Sequence, residues 1–106
     1  MNSFEGLGYA IRWVEDDFGI DPQDDNVDVF VEFDSGERFV ATFFTLDNLR
    51  SIMSEYRATG ECAGGLYLWS THMIIVERLT KPNVDRVIAD LMETDEFTAA
   101  FEKVAD

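Results

Sequence analysis

Val27-Asp28-Val29-Phe30-Val31-Glu32-Phe33-Asp34-Ser35-Gly36-Glu37-Arg38-Phe39-Val40-Ala41-Thr42-Phe43-Phe44 is the stretch whose reading decides the fold. Val27, Val29 and Val31 alternate with Asp28, Phe30 and Glu32, and the run continues into Phe33. β-Branched and aromatic residues at a period of two read as a strand. Asp34-Ser35-Gly36-Glu37 is turn chemistry, with Gly36 free to take a positive φ, and Arg38 to Phe44 returns as a second strand. The expectation is a β-hairpin.

C-terminal to the hairpin, Thr45 is placed to cap a helix that has Asp47 in its first turn. Leu46, Leu49, Ile52 or Met53, and Tyr56 form its apolar stripe, and Gly60 stands where a left-handed C-terminal residue is wanted. A loop over 59–65 follows. Leu66 to Trp69 and Met73 to Val76 read as strands of a second hairpin through Ser70-Thr71. Pro82 marks the first turn of another helix, with Val84, Val87, Ile88 and Leu91 on one face. Thr94 is the expected cap of a final short helix carrying Phe97, Phe101 and Val104. The Phe43-Phe44 and Phe97/Phe101 pairs are assigned to the core.

N-terminal to the hairpin, residues 21–26 form a polar, proline-containing loop. Before it, Phe4, Leu7, Ile11, Val14 and Phe18 fall at helical spacing, which Gly19 would end. Gly6 and Gly8 would each cost about 1 kcal/mol inside a helix, and Tyr9 to Val14 also reads as a strand. Both readings stay open, with a strand over 9–14 preferred. The order implies a single α+β domain over residues 1–106. Its antiparallel sheet of four to five strands has helices packed on one face, a two-layer sandwich that leaves the other face open.

Hydrophobic residues at 46% and aromatics at 13% exclude disorder for most of the chain. No apolar run approaches the about 20 residues that span a bilayer, and Met1-Asn2-Ser3-Phe4-Glu5 has neither the basic region nor the apolar run of a signal peptide. A lone cysteine, Cys62, points to a reducing compartment, and a cytoplasmic location is expected. The net charge of −14 is uneven: residues 1–37 carry eleven acids against Arg12 alone, and the other 69 residues carry eleven acids against seven bases. Such a surface repels nucleic acid and anionic membranes and steers basic partners into contact.

Little in the chain reads as catalytic. Asp24, Asn26 and Asp28 match the first ligand positions of an EF-hand loop, but Val29 stands where glycine is required and Ser35 where a bidentate glutamate is required. His72 and Cys62 are too few and wrongly spaced for zinc, and a thiol–imidazole dyad would need them to meet in space. The acids stand in solvated runs rather than as an enclosed pair with separated pKa values. The chain therefore reads as a non-enzymatic binding protein with no cofactor and no metal. Its candidate contact residues are Trp13, Glu15, Asp16, Asp17, Asp21, Asp24, Asp25, Asp28 and Trp69. The tryptophans would be anchors and the acids a patch for a basic protein.

Three stretches carry a resemblance: Asp25-Asn26-Val27-Asp28-Val29-Phe30-Val31 leading into Phe39-Val40-Ala41-Thr42-Phe43-Phe44-Thr45; Gly65-Leu66-Tyr67-Leu68-Trp69 with Ile74-Ile75-Val76-Glu77; and Asp95-Glu96-Phe97-Thr98-Ala99-Ala100-Phe101. Over about residues 25–103 the chain resembles the small acidic immunity proteins of bacterial contact-dependent inhibition and related polymorphic toxin systems. The resemblance implies a protein that binds a cognate toxin domain, often a nuclease, and blocks its active site or nucleic-acid channel. It transfers no binding residues. The alternatives are a nucleic-acid mimic or phage-type inhibitor of a defence nuclease, and a small cytosolic structural or interaction domain.

Overall fold

The alternating stretch folds as the sequence predicts. The computed structural model describes residues 8–13 and 19–104. β2 (Asn26–Phe33) and β3 (Arg38–Thr45) pair antiparallel, with Val31 opposite Phe39 and Val29 opposite Ala41. This register places Val27, Val29, Val31, Phe33, Phe39, Ala41 and Phe43 on one face, and all seven are buried. The turn closes through the Gly36 N–H on the Phe33 carbonyl (2.9 Å), with Gly36 at φ 95°. β1 (Tyr9–Trp13) adds antiparallel to β2, Tyr9 opposite Phe33 and Trp13 opposite Val29. The strand reading thus holds for 9–13. Phe4, Leu7, Val14 and Phe18 of the helical alternative lie outside the described residues.

α1 (Leu46–Thr59) follows β3 directly, with Thr45 as its cap. Thr45 is fully buried, and its Oγ1 accepts from the N–H groups of Asn48 (3.1 Å) and Asp25 (3.2 Å). Thr45→Ala is expected to cost about 1–2 kcal/mol, because it strips two backbone donors of their acceptor. Urea unfolding checks this, with Thr45→Ser keeping most of the stability. Gly60 ends α1 in the left-handed region, its N–H on the Tyr56 carbonyl at 2.8 Å.

Beyond Gly60 the chain departs from the expected loop and hairpin. α2 (Glu61–Gly65) is one turn wound left-handed, with φ of 48° at Cys62, 54° at Ala63, 71° at Gly64 and 83° at Gly65. Residues 66–69 form no strand. β4 (Met73–Val76) pairs parallel with β3, Thr42 opposite Met73 and Thr45 opposite Val76, so there is no second hairpin. The reason is physical: Ser70-Thr71 has no residue suited to a tight hairpin turn, whereas a helix between two strands returns the chain parallel.

α3 (Lys81–Glu93) starts from Thr80, which caps it through Asn83 N–H, and has Pro82 in its first turn. Thr94 closes α3 instead of opening the next helix, its N–H on the Asp90 carbonyl at 2.9 Å. α4 (Phe97–Ala100) begins at Glu96 without a side-chain cap. Phe101 and Val104 lie beyond it, around β5 (Glu102–Lys103), which pairs antiparallel with Phe39 and Val40 of β3. The five-stranded sheet is thus antiparallel except at β4, and β4 and β5 lie end to end along one edge of β3.

Val84, Ile88 and Met92 of α3 join Phe97 and Phe101 in a single core with the buried face of the sheet. This is the α+β architecture, with α3 and α4 covering that face. Among the described residues no helix is long and apolar enough to cross a membrane. On the opposite face charges pair among themselves: Glu32 meets Arg12 at 3.0 Å and Arg38 at 3.6 Å, and the Arg38 guanidinium lies 5.4 Å from the Phe30 ring centre.

Candidate functional site

The acidic loop before β2 is built by its own carboxylates. Asp21 accepts from the Gln23 N–H (3.0 Å), and Asp25 accepts from the N–H groups of Asp21 (3.0 Å) and Asn26 (2.8 Å). Asp24 reaches across to α1, accepting from Asn48 Nδ2 (3.2 Å) and Ser51 Oγ (3.0 Å). Gln23 joins Asp47 of α1 and takes a 2.7 Å hydrogen bond from Arg78, while Leu79 N–H donates to the Pro22 carbonyl at 2.8 Å. A short Asx-rich loop satisfies its backbone in this way. The result fixes Asp21, Asp24 and Asp25 at the end of β3 where α1 begins. Asp28 is exposed on the sheet face opposite the core, its Oδ1 accepting from Thr42 Oγ1 at 2.6 Å. An ionised carboxylate has about four acceptor sites, so each retains capacity toward a partner.

Glu15, Asp16 and Asp17 lie outside the described residues. The two tryptophans fall on strands or approaches at opposite sides of the sheet. Trp13, on β1, is half-buried, packs against the core and walls a groove of about 240 Å³ with Ile20, Pro22, Leu79, Thr80 and Lys81. Trp69 leads into β4 and is 68% exposed.

Trp69 is not alone in its exposure, and its neighbours escaped the sequence reading. Leu66 is 77% exposed and Tyr67 49%, so three of the four residues once expected to form a strand present apolar surface to solvent. Ile75 on β4 and Leu46 at the start of α1 are about half exposed. α1 itself buries no residue fully: Leu49, Ile52, Met53 and Tyr56 of its stripe remain partly open. The Tyr56 phenol is held above its ordinary pKa by partial desolvation, then by Glu61, Cys62 and Glu55 around it. The signal available in the sequence was the absence of any Asp, Glu, Lys or Arg from Cys62 to Val76, in a chain that is 28% charged.

This segment is seated by the left-handed turn. Gly65 is buried against α1, where a Cβ would overlap the Met53 carbonyl oxygen and crowd Arg57. Cys62 and Ala63 hold left-handed dihedrals, at about 1–2 kcal/mol each for a residue with a Cβ. Cys62 is a free, half-buried thiol. His72 Nδ1 has no hydrogen-bond partner among the described residues, and the Glu102 carboxylate lies 3.9 Å from it. Among the described residues no group of three or more His, Cys, Asp or Glu is gathered as metal ligands would be. No protein-family model, curated protein or solved structure matches the chain.

Proposed function

We propose that the chain is an immunity-type binding protein that neutralises a cognate toxin domain, a nuclease being the best-fitting class, by presenting carboxylates to its basic surface. The observation that carries this reading is the self-built acidic loop. Asp21, Asp24 and Asp25 stand at the surface already ordered by hydrogen bonds to the loop backbone and to α1. Preordered charges lose little freedom on binding, and complementary charge raises the rate of encounter. The net charge of −14 acts in the same direction over longer range. In this role the chain works in the cytoplasm as a stoichiometric inhibitor, and it carries out no chemistry.

A toxin domain is expected to be encoded beside this chain, and stopped-flow association with that domain tests the reading. Association of the wild type is expected to slow steeply between 50 and 500 mM salt. The Asp24→Asn/Asp25→Asn pair is expected to reduce the low-salt rate by about tenfold with little change in the dissociation rate. A neighbouring domain that is not bound, or one bound at a rate indifferent to both salt and these substitutions, would sink the proposal.

A further inference from the structure

The acidic loop explains attraction but not retention, since rim charges act mainly on the rate of encounter. Affinity comes from a few desolvated apolar anchors, and among the described residues the segment after α2 has that character. Leu66, Tyr67 and Trp69 crowd solvent-exposed onto four residues with no strand or helix to share them. Gly65 pins the start of this segment to α1 at Met53 and Arg57. Its far end enters β4, where Ile75 stands opposite Phe44, next to the end of β3 from which Leu46 emerges. Leu66, Tyr67 and Trp69, within four residues of one another, expose on the order of 400 Å² of largely apolar surface, the size of the largest patch on a typical monomer.

Interface cores are depleted in charge and enriched in aromatics, with polar rims. The uncharged run from Cys62 to Val76 matches such a core. Its surroundings carry an acidic excess: Asp24 is bonded to α1, Asp47 opens α1, Glu55 lies on α1, Glu61 opens α2 and Glu77 follows β4, against Arg50, which pairs with Asp47 at 3.3 Å, Arg57 beside Gly65, and Arg78. A second copy of the chain would bring the same acids face to face, so the rim selects a partner of opposite charge. We infer that residues 66–75 and the adjoining face of α1 are the core of the docking surface for a basic protein, with Trp69 as its central anchor and the acidic loop as its rim. This rests on the binding function proposed above and names the surface that performs it.

Calorimetry with the neighbouring toxin domain tests it, using Trp69→Ala, Leu66→Ser and the Asp24→Asn/Asp25→Asn pair. Each is first shown to keep the wild-type circular dichroism spectrum. Trp69→Ala is expected to weaken binding at least about 30-fold through faster dissociation, and amide exchange over 66–75 is expected to slow in the complex. Tight wild-type binding unaffected by Trp69→Ala and Leu66→Ser, with exchange unchanged over 66–75, overturns this surface and leaves the function standing. A wild-type chain that does not bind the domain overturns both. A wild-type dimer in light scattering that Trp69→Ala dissociates, or partition into phosphatidylcholine vesicles that it abolishes, assigns the surface to a second copy or to lipid and overturns the inference.

Discussion

Phe97→Ala is expected to lower the unfolding free energy by about 3–5 kcal/mol, a large share of the about 5–15 kcal/mol available to a domain of this size. Phe97 is 1% exposed and stacks on Phe101 with ring centres 4.5 Å apart. It also meets the rings of Phe39 at 5.1 Å and Phe33 at 5.8 Å edge-on. Truncation empties the centre of this cluster, and rings held by two strands and a short helix cannot collapse into the gap without moving backbone. The loss appears as a lower urea midpoint with an unchanged denaturant slope. Phe97→Leu, which keeps most of the volume, should cost well under half as much. A fall below 1.5 kcal/mol for the alanine variant would contradict the packing described.

The second large effect is expected at Gly65. Gly65→Ala places a Cβ against the Met53 carbonyl and the Arg57 side chain, at a φ of 83°. The expected cost is about 3 kcal/mol, from the left-handed backbone and the overlap together. Gly64→Ala is the comparison: its φ is 71°, but nothing lies within 4 Å of the added carbon. Its cost should stay near 1 kcal/mol. Thermal melts of the two variants separate strain from contact. Equal losses would mean that the turn is not seated on α1 as described.

Legibility in the sequence followed how local the deciding physics is. The hairpin of β2 and β3 could be read because its side-chain alternation and its turn lie within one short stretch. The helix caps at Thr45 and Gly60 could be read for the same reason, since the Asn48 N–H on Thr45 and the left-handed Gly60 are local, whereas the Asp25 N–H that Thr45 also accepts could not. Leu66-Tyr67-Leu68-Trp69 forms no strand: strand-forming composition without alternation says nothing about a partner, and among the described residues no strand pairs with it. The orientation of β4 depends on the crossover through α1, which residue pattern does not encode. β5 is two residues long, and its pairing with Phe39 and Val40 is wholly non-local. At the candidate site the charges of Asp21, Asp24, Asp25 and Asp28 were visible, while their binding of the loop to α1 was not. Trp69 was picked out for its type; the exposed apolar surface around it became visible only once the neighbouring segment was seen to lie outside the sheet.

The shared edge of β3 has a consequence for biosynthesis. β5 pairs with residues more than half the chain upstream, and Val104 N–H donates to the Arg38 carbonyl at 2.8 Å. During translation the first three strands and α1 leave the ribosome well before β5 does. Until then the Phe39–Val40 end of the edge shows unpaired backbone, and Phe97 and Phe101 are not yet in place over the sheet. An open edge beside an unfinished core is a template for pairing between nascent chains. Completion of the sheet therefore waits on the emergence of residues 97–104 and not on the early hairpin.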